Sequence, residues 1–158
     1  MAMTSPSSVA NLILETHDAS ATLSVATDAL MATEHLQAAR WRLLQTVARS
    51  ADPLTVPYIA RKIRLSRQAV QRLVDELVGR GVVVLKPNEH HATAQLVVLT
   101  KDGRDLYDRA HRRQHAFSEW LSGQFTDEEV RTTTQVMSKL RSVVAGLDSD
   151  MLTEGKFS

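Results

Sequence analysis

The chain has 158 residues, 43% hydrophobic and 23% charged, a mix that suits one globular domain and excludes a wholly disordered chain. It has no cysteine, which excludes disulfides, thiol nucleophiles, thiol redox sensors and cysteine metal sites. Its net charge of +1 hides an asymmetry: Arg40 to Arg113 holds 15 Lys and Arg against 7 Asp and Glu, a net +8, and the remainder is −7. A basic middle between acidic ends suits a polyanion-binding centre.

In chain order, Pro6 flanked by serines reads as a helix start, and Val9, Leu12, Ile13, Thr16, Leu23 and Leu30 follow at helical spacing. A second helix is predicted from about Leu36 to Arg49, with Thr33 as its candidate N-cap and Ser50 to Pro53 ending it. Thr55 can cap a short helix over Val56 to Lys62, with Ile59 and Ile63 inward. Ser66 can cap a longer one from Arg67 to Arg80, where Val70, Leu73, Val74 and Leu77 form an apolar stripe. Gly79 and Gly81 mark its end. The period then changes: Val82 to Leu85 and Leu96 to Leu99 are β-branched runs flanking a polar tip, an antiparallel hairpin and the only strand signal. Thr100 should cap a helix over Lys101 to Ser122, with Leu106, Ala110, Phe117 and Leu121 on one side. Thr126 to Glu129 is a capping box before a last helix bearing Val130, Met137, Leu140, Val144 and Leu147. The tail from Asp148 is expected to fray.

Short helix, turn, longer helix and hairpin make a helix-turn-helix followed by a two-stranded wing, a mainly α (α+β) architecture. Such a second helix lies in a DNA major groove. At about 100° per residue, placing Val70 in the core turns Gln68 and Arg72 outward, with Arg67 and Gln71 beside them. Arg suits guanine O6 and N7, and Gln suits adenine N6 and N7. Gln68, Gln71 and Arg72 are the candidate base readers. Thr55, Ser66, Arg67 and Lys86 are the candidate backbone contacts, Ser66 with the free amides of a helix start.

Several segments then resemble one family: Leu54 to Ala60, Ser66 to Leu77, Gly81-Val82-Val83 and Leu99-Thr100-Lys101-Asp102-Gly103 look like the multiple-antibiotic-resistance-regulator (MarR) family, over about Trp41 to Leu121. The resemblance implies a homodimer and a regulator, in most members a repressor, on a pseudo-palindromic operator in duplex DNA. It also implies release by a small aromatic or phenolic ligand. It divides the chain into an N-terminal dimerisation helix (1–35), the DNA-binding domain (36–100) and C-terminal dimerisation helices (101–158). Two departures stand out. Arg64 occupies a turn position where the family usually has Gly; a left-handed backbone there would cost about 1 kcal/mol. The wing tip runs Asn88-Glu89-His90-His91-Ala92-Thr93-Ala94, with Ala92 and Thr93 where the family usually has basic residues, leaving His90 and His91 as the candidate minor-groove contacts or as plain loop residues.

Other residues stay open between two readings. Trp41 suits either the core or an effector pocket, and His17 either that pocket or an interface. His111 and His115, four apart and followed by Glu119, have metal-ligand spacing, but surface or interface histidines read the same way. No hydrolase, kinase, metalloprotease or phosphate-loop motif occurs, so neither catalysis nor a cofactor is expected. Without a signal-type N-terminus or a long apolar run, a cytoplasmic protein with no membrane span is expected. The competing reading is a winged-helix dimer that serves as a ligand- or metal-sensing or protein-interaction scaffold with weak DNA binding.

Overall fold

The computed structural model describes residues 4–89 and 94–155. They form α1 (Pro6–Met31), a 3-10 turn (Ala32–Glu34), α2 (Ala38–Ala48), β1 (Leu54–Thr55), α3 (Val56–Ile63), α4 (Arg67–Gly79), β2 (Val83–Lys86), β3 (Leu96–Leu99), α5 (Lys101–Ser122), α6 (Asp127–Ala145) and α7 (Ser149–Glu154). Two compact units, residues 1–115 and 116–158, divide within α5.

The first unit holds the winged helix-turn-helix. Its core is built from the apolar stripes of the helices: Trp41, Leu43 and Leu44 of α2, Ile59 and Ile63 of α3, and Val70, Val74 and Leu77 of α4. Val83 and Val97 close it from the sheet, and Leu106, Tyr107 and Ala110 from α5. The strands are antiparallel in the order β1-β3-β2, with Val83 opposite Leu99 and Lys86 opposite Leu96. The hairpin therefore forms where the β-branched runs lie. A third strand joins it that the sequence did not signal: Leu54 and Thr55 pair with Val97 and Leu96. Two residues are too few to show a period, and β1 exists only through its partner.

Local chemistry accounts for most helix ends. The hydroxyls of Ser5, Ser66 and Thr100 accept from the amides of Ser8 (3.2 Å), Ala69 (3.1 Å) and Gly103 (2.9 Å). Thr55 takes the N-cap position of α3 but its hydroxyl makes no capping bond. Thr33 does not cap α2; it lies in the 3-10 turn, and the N-cap residue is Gln37. The Asp28 carboxylate instead reaches from α1 to accept from the Ala38 amide at 2.5 Å. His35 turns the chain there with a left-handed backbone (φ 52°).

Arg64 is left-handed as well (φ 56°, ψ 48°), between α3 and α4. Its conformation lets the Leu65 amide donate back to Ala60 O at 3.1 Å, closing the end of α3. Relief of about 1–2 kcal/mol of steric cost, less about 0.4–1 for the added freedom of the unfolded chain, leaves Arg64→Gly more stable by about 0.5–1 kcal/mol. A urea midpoint that rises at unchanged slope is the expected result. A lower midpoint would mean that the Arg64 side chain, not its backbone, decides.

The second unit holds the end of α5, α6 and α7. Thr126 and Glu129 form the capping box: the Thr126 hydroxyl accepts from the Glu129 amide (3.3 Å), and the Thr126 amide donates to the Glu129 carboxylate (2.8 Å). The Thr126 amide first, and its hydroxyl second, hold the Glu129 carboxyl below the usual carboxylate range. Val130 and Val144 are exposed, whereas Met137, Leu140 and Leu147 are half-buried. The tail expected to fray carries α7, begun at Asp148.

Candidate nucleic-acid interface

Burial of Val70, Val74 and Leu77 fixes the rotation of α4, so Arg67, Gln68, Gln71, Arg72 and Asp75 are left exposed. Helix geometry leaves the first-turn amides without intrahelical acceptors, and Ser66 takes only that of Ala69. The amides of Arg67 and Gln68 thus mark a phosphate-ready helix start.

Beside this helix start runs a groove of about 420 Å³. Its walls are Val56 and Pro57 at the start of α3, Arg67, Gln68 and Gln71 of α4, Leu85 of β2, and Ala94 and Gln95 leading into β3. The structure therefore brings Arg67, Gln68 and Gln71 together between α4 and the wing. Arg72 is exposed on the same helix, Ser66 caps it, and Lys86 is exposed at the end of β2, but none of the three lines the groove. Thr55 lines a separate hollow of about 650 Å³ with Asp52, Tyr58, Asn88 and Leu96 among its walls. His90 and His91 lie outside the described residues.

Three arginines brace this surface from behind. Arg40 of α2 donates through Nε to Glu76 of α4 at 2.7 Å. Arg42 donates to Ile63 O at 2.8 Å, satisfying a carbonyl at the end of α3. Arg80, the C-cap of α4, donates to His35 O (2.8 Å) and Glu34 O (3.2 Å). Part of the basic middle thus doubles as scaffold. Sequence reasoning missed another group on α3, where Arg61 and Lys62 lie 5.7 and 5.9 Å from the centre of the exposed Tyr58 ring. The i, i+3 and i+4 spacing of the three was its available signal.

The remaining candidates fall elsewhere. Trp41 is 1% exposed and its indole N–H donates to Gln114 Oε1 at 2.5 Å, an oxygen that also accepts from Gln45 at 2.7 Å. Its ring stacks on Tyr107 (5.7 Å), Tyr107 on His111 (5.4 Å), and His111 meets His115 edge-on (6.5 Å). Trp41 is therefore a core residue, and His111 and His115 extend an aromatic row along α5. Among the described residues no three His, Asp or Glu side chains converge to hold a metal. His17 is exposed on α1.

Known proteins share both the sequence segment and the fold. Residues 36–92 match the model of the MarR family. Uncharacterized protein Rv2011c of Mycobacterium tuberculosis is 38% identical over 96 residues, 61% of this chain and 66% of that protein; the match thus spans just under two thirds of the relative. The transcriptional activatory protein BadR of Rhodopseudomonas palustris is 27% identical over 118 residues, 73% of this chain and 67% of BadR. Among solved structures, a mutant MarR from E. coli complexed with operator DNA matches with a TM-score of 0.76 and 22% identity, over 84% of this chain and 95% of that one. CouR from Rhodococcus jostii RHA1, bound to p-coumaroyl-CoA, matches with a TM-score of 0.71 and 20% identity, over 82% and 90%. Among the described residues no helix is long and apolar enough to cross a membrane. The segment that matches the MarR family model thus spans the helix-turn-helix, and the winged fold that continues around it is that of the solved MarR structures.

Proposed function

We propose that the protein is a sequence-specific regulator of transcription that binds duplex DNA as a homodimer on a pseudo-palindromic operator, without catalysis and in the cytoplasm. The observation that carries this reading is the α4 face, where Arg67, Gln68 and Gln71 line the groove beside the wing and Arg72 stands exposed on the same helix. Residues 36–100 form the DNA-binding part, and residues 1–35 and 101–158 supply the dimer helices. The apolar side chains left exposed support the second assignment: Leu14, Leu23 and Val25 on α1, and, in the other unit, Trp120, Val143 and Val144. On this reading the protein represses, and a small aromatic ligand releases it. CouR, similar in fold and bound to p-coumaroyl-CoA, supports the ligand class. The burial of Trp41 directs that ligand away from its ring, and the exposed His17 remains available to it.

Selection of bound duplexes from a random library, followed by affinity across a salt series, tests the reading. An enriched inverted repeat with half-sites about one helical turn apart is expected, with affinity falling steeply as salt rises. On that duplex Arg72→Ala should cost about 1–3 kcal/mol and relax preference at one base position, whereas Lys86→Ala should weaken all duplexes alike and flatten the salt slope by about one unit. Failure to enrich any duplex, with or without candidate aromatic ligands and zinc, would move the scaffold reading to the front.

A further inference from the structure

Gln71 is not a free side chain. Its Nε2 donates to Asp75 Oδ1 at 2.8 Å, one turn further along α4. We propose that Asp75 is a specificity-determining residue: it fixes which way the Gln71 amide faces and so makes Gln71 a reader of adenine. The inference rests on the DNA-binding reading above and deepens it.

An amide NH2 carries two hydrogens, one on the side of its own oxygen and one on the opposite side. Adenine is read by the oxygen together with the hydrogen beside it, Oε1 accepting from N6 and Nε2 donating to N7. The far hydrogen is not needed for that fork, and Asp75 can hold it. Turning the amide over would set Oε1 against a carboxylate oxygen, acceptor against acceptor. The ordinary freedom of a glutamine to exchange its oxygen and nitrogen is thereby removed. Guanine, which presents O6 as an acceptor where adenine has its N6 donor, is then refused, since the amide cannot present a donor there.

Asp75 also brings a negative charge to a basic face. A residue that only added charge would change affinity for all DNA, whereas a positioning residue changes discrimination at one base pair. Asp75→Glu keeps an acceptor-only carboxylate for Gln71; Asp75→Asn removes the charge, and its amide can turn to donate, so it no longer fixes Gln71; Asp75→Ala removes partner and charge alike.

The experiment uses the full chain and the duplex that the wild-type protein selects from a random library, with single-base variants as competitors. Gln71→Ala first locates the base pair that Gln71 reads, as the position where discrimination falls by about tenfold. Asp75→Ala and Asp75→Asn are each expected to lose a comparable factor at that same position while binding all duplexes more tightly, and Asp75→Glu to restore it. Full discrimination in Asp75→Ala overturns the proposal, as does an Asp75→Glu variant that discriminates no better than Asp75→Ala. A Gln71→Ala variant with unchanged preference overturns it too, while leaving DNA binding itself intact. Only a wild-type protein that selects no duplex at all would remove both the proposal and the reading beneath it.

Discussion

Gly103→Ala is expected to lower stability by about 3 kcal/mol or more, although alanine is the better helix former by about 1 kcal/mol. Gly103 lies buried in the first turn of α5, its amide bonded to the Thr100 hydroxyl at 2.9 Å. Thr100 in turn donates its amide to Val82 O (3.1 Å) and its hydroxyl to Gly81 O (2.7 Å). These bonds draw the start of α5 onto the chain that leads into β2. A Cβ on residue 103 would overlap the Val82 carbonyl oxygen and lie 2.9 Å from its carbon. Both obstacles are backbone, so neither can rotate away as a side chain would. Separation of α5 from β2 is the remaining adjustment, and it opens the core beside Val83 and Leu106. At about 2–4 °C per kcal/mol for a chain of this size, a fall in Tm near 10 °C is expected. The same change at Gly79 is the control, because its added Cβ would meet nothing within 4 Å. Gly79→Ala should be neutral or stabilising by up to about 1 kcal/mol. Equal effects at the two positions would show that helix propensity, not contact with Val82, governs both.

Gly103 also marks where sequence reading stops. Leu99-Thr100-Lys101-Asp102-Gly103 was recognisable as a motif, and Thr100 as a cap, because a cap and its helix are neighbours in sequence. The reason for glycine lies in Val82, on another element. The same division runs through the fold. Ser5, Ser66, Thr100 and Thr126 announce their helices within three residues. Asp28 caps α2 from ten residues upstream, and Glu34 accepts from Arg109 across 75 residues, distances over which no local pattern extends. β1 was hidden for the same reason. The site divides likewise. Helical period alone turned Gln68, Gln71 and Arg72 outward, and the structure leaves them exposed. Period could not show that Arg40, Arg42 and Arg80 also brace helices, Arg40 through Glu76 and the other two through backbone carbonyls. Arg64 was legible as a departure from a family pattern, and its backbone proves to be left-handed.

Trp41→Ala is expected to cost about 3–5 kcal/mol, among the largest effects of any single side-chain truncation in this chain. The ring is sealed at 1% exposure, stacked on Tyr107, with its N–H on Gln114. Truncation leaves a cavity between α2 and α5 that backbone on both sides prevents from closing. Trp41→Phe separates the two contributions: it keeps most of the volume and the stack but loses the indole N–H, and Gln45 still satisfies the Gln114 oxygen at 2.7 Å. The expected cost is therefore smaller, about 1–2 kcal/mol. Loss of DNA binding should accompany the alanine variant at temperatures where it is still largely folded. Trp41 seats α2, and α2 carries Arg40 and Arg42, which hold Glu76 of α4 and the last turn of α3. Loosening that seat frees the recognition helix to tilt. Emission reports the same placement: Trp41 should resist a polar quencher, whereas Trp120, 63% exposed in the single chain, should be quenched, and protected only if the proposed dimer covers it. If Trp41 instead lined an open effector pocket, its emission would quench readily and its truncation would cost under about 1 kcal/mol. The aromatic ligand would then compete directly with the quencher, and the core between α2 and α5 would have to be redrawn around a cavity.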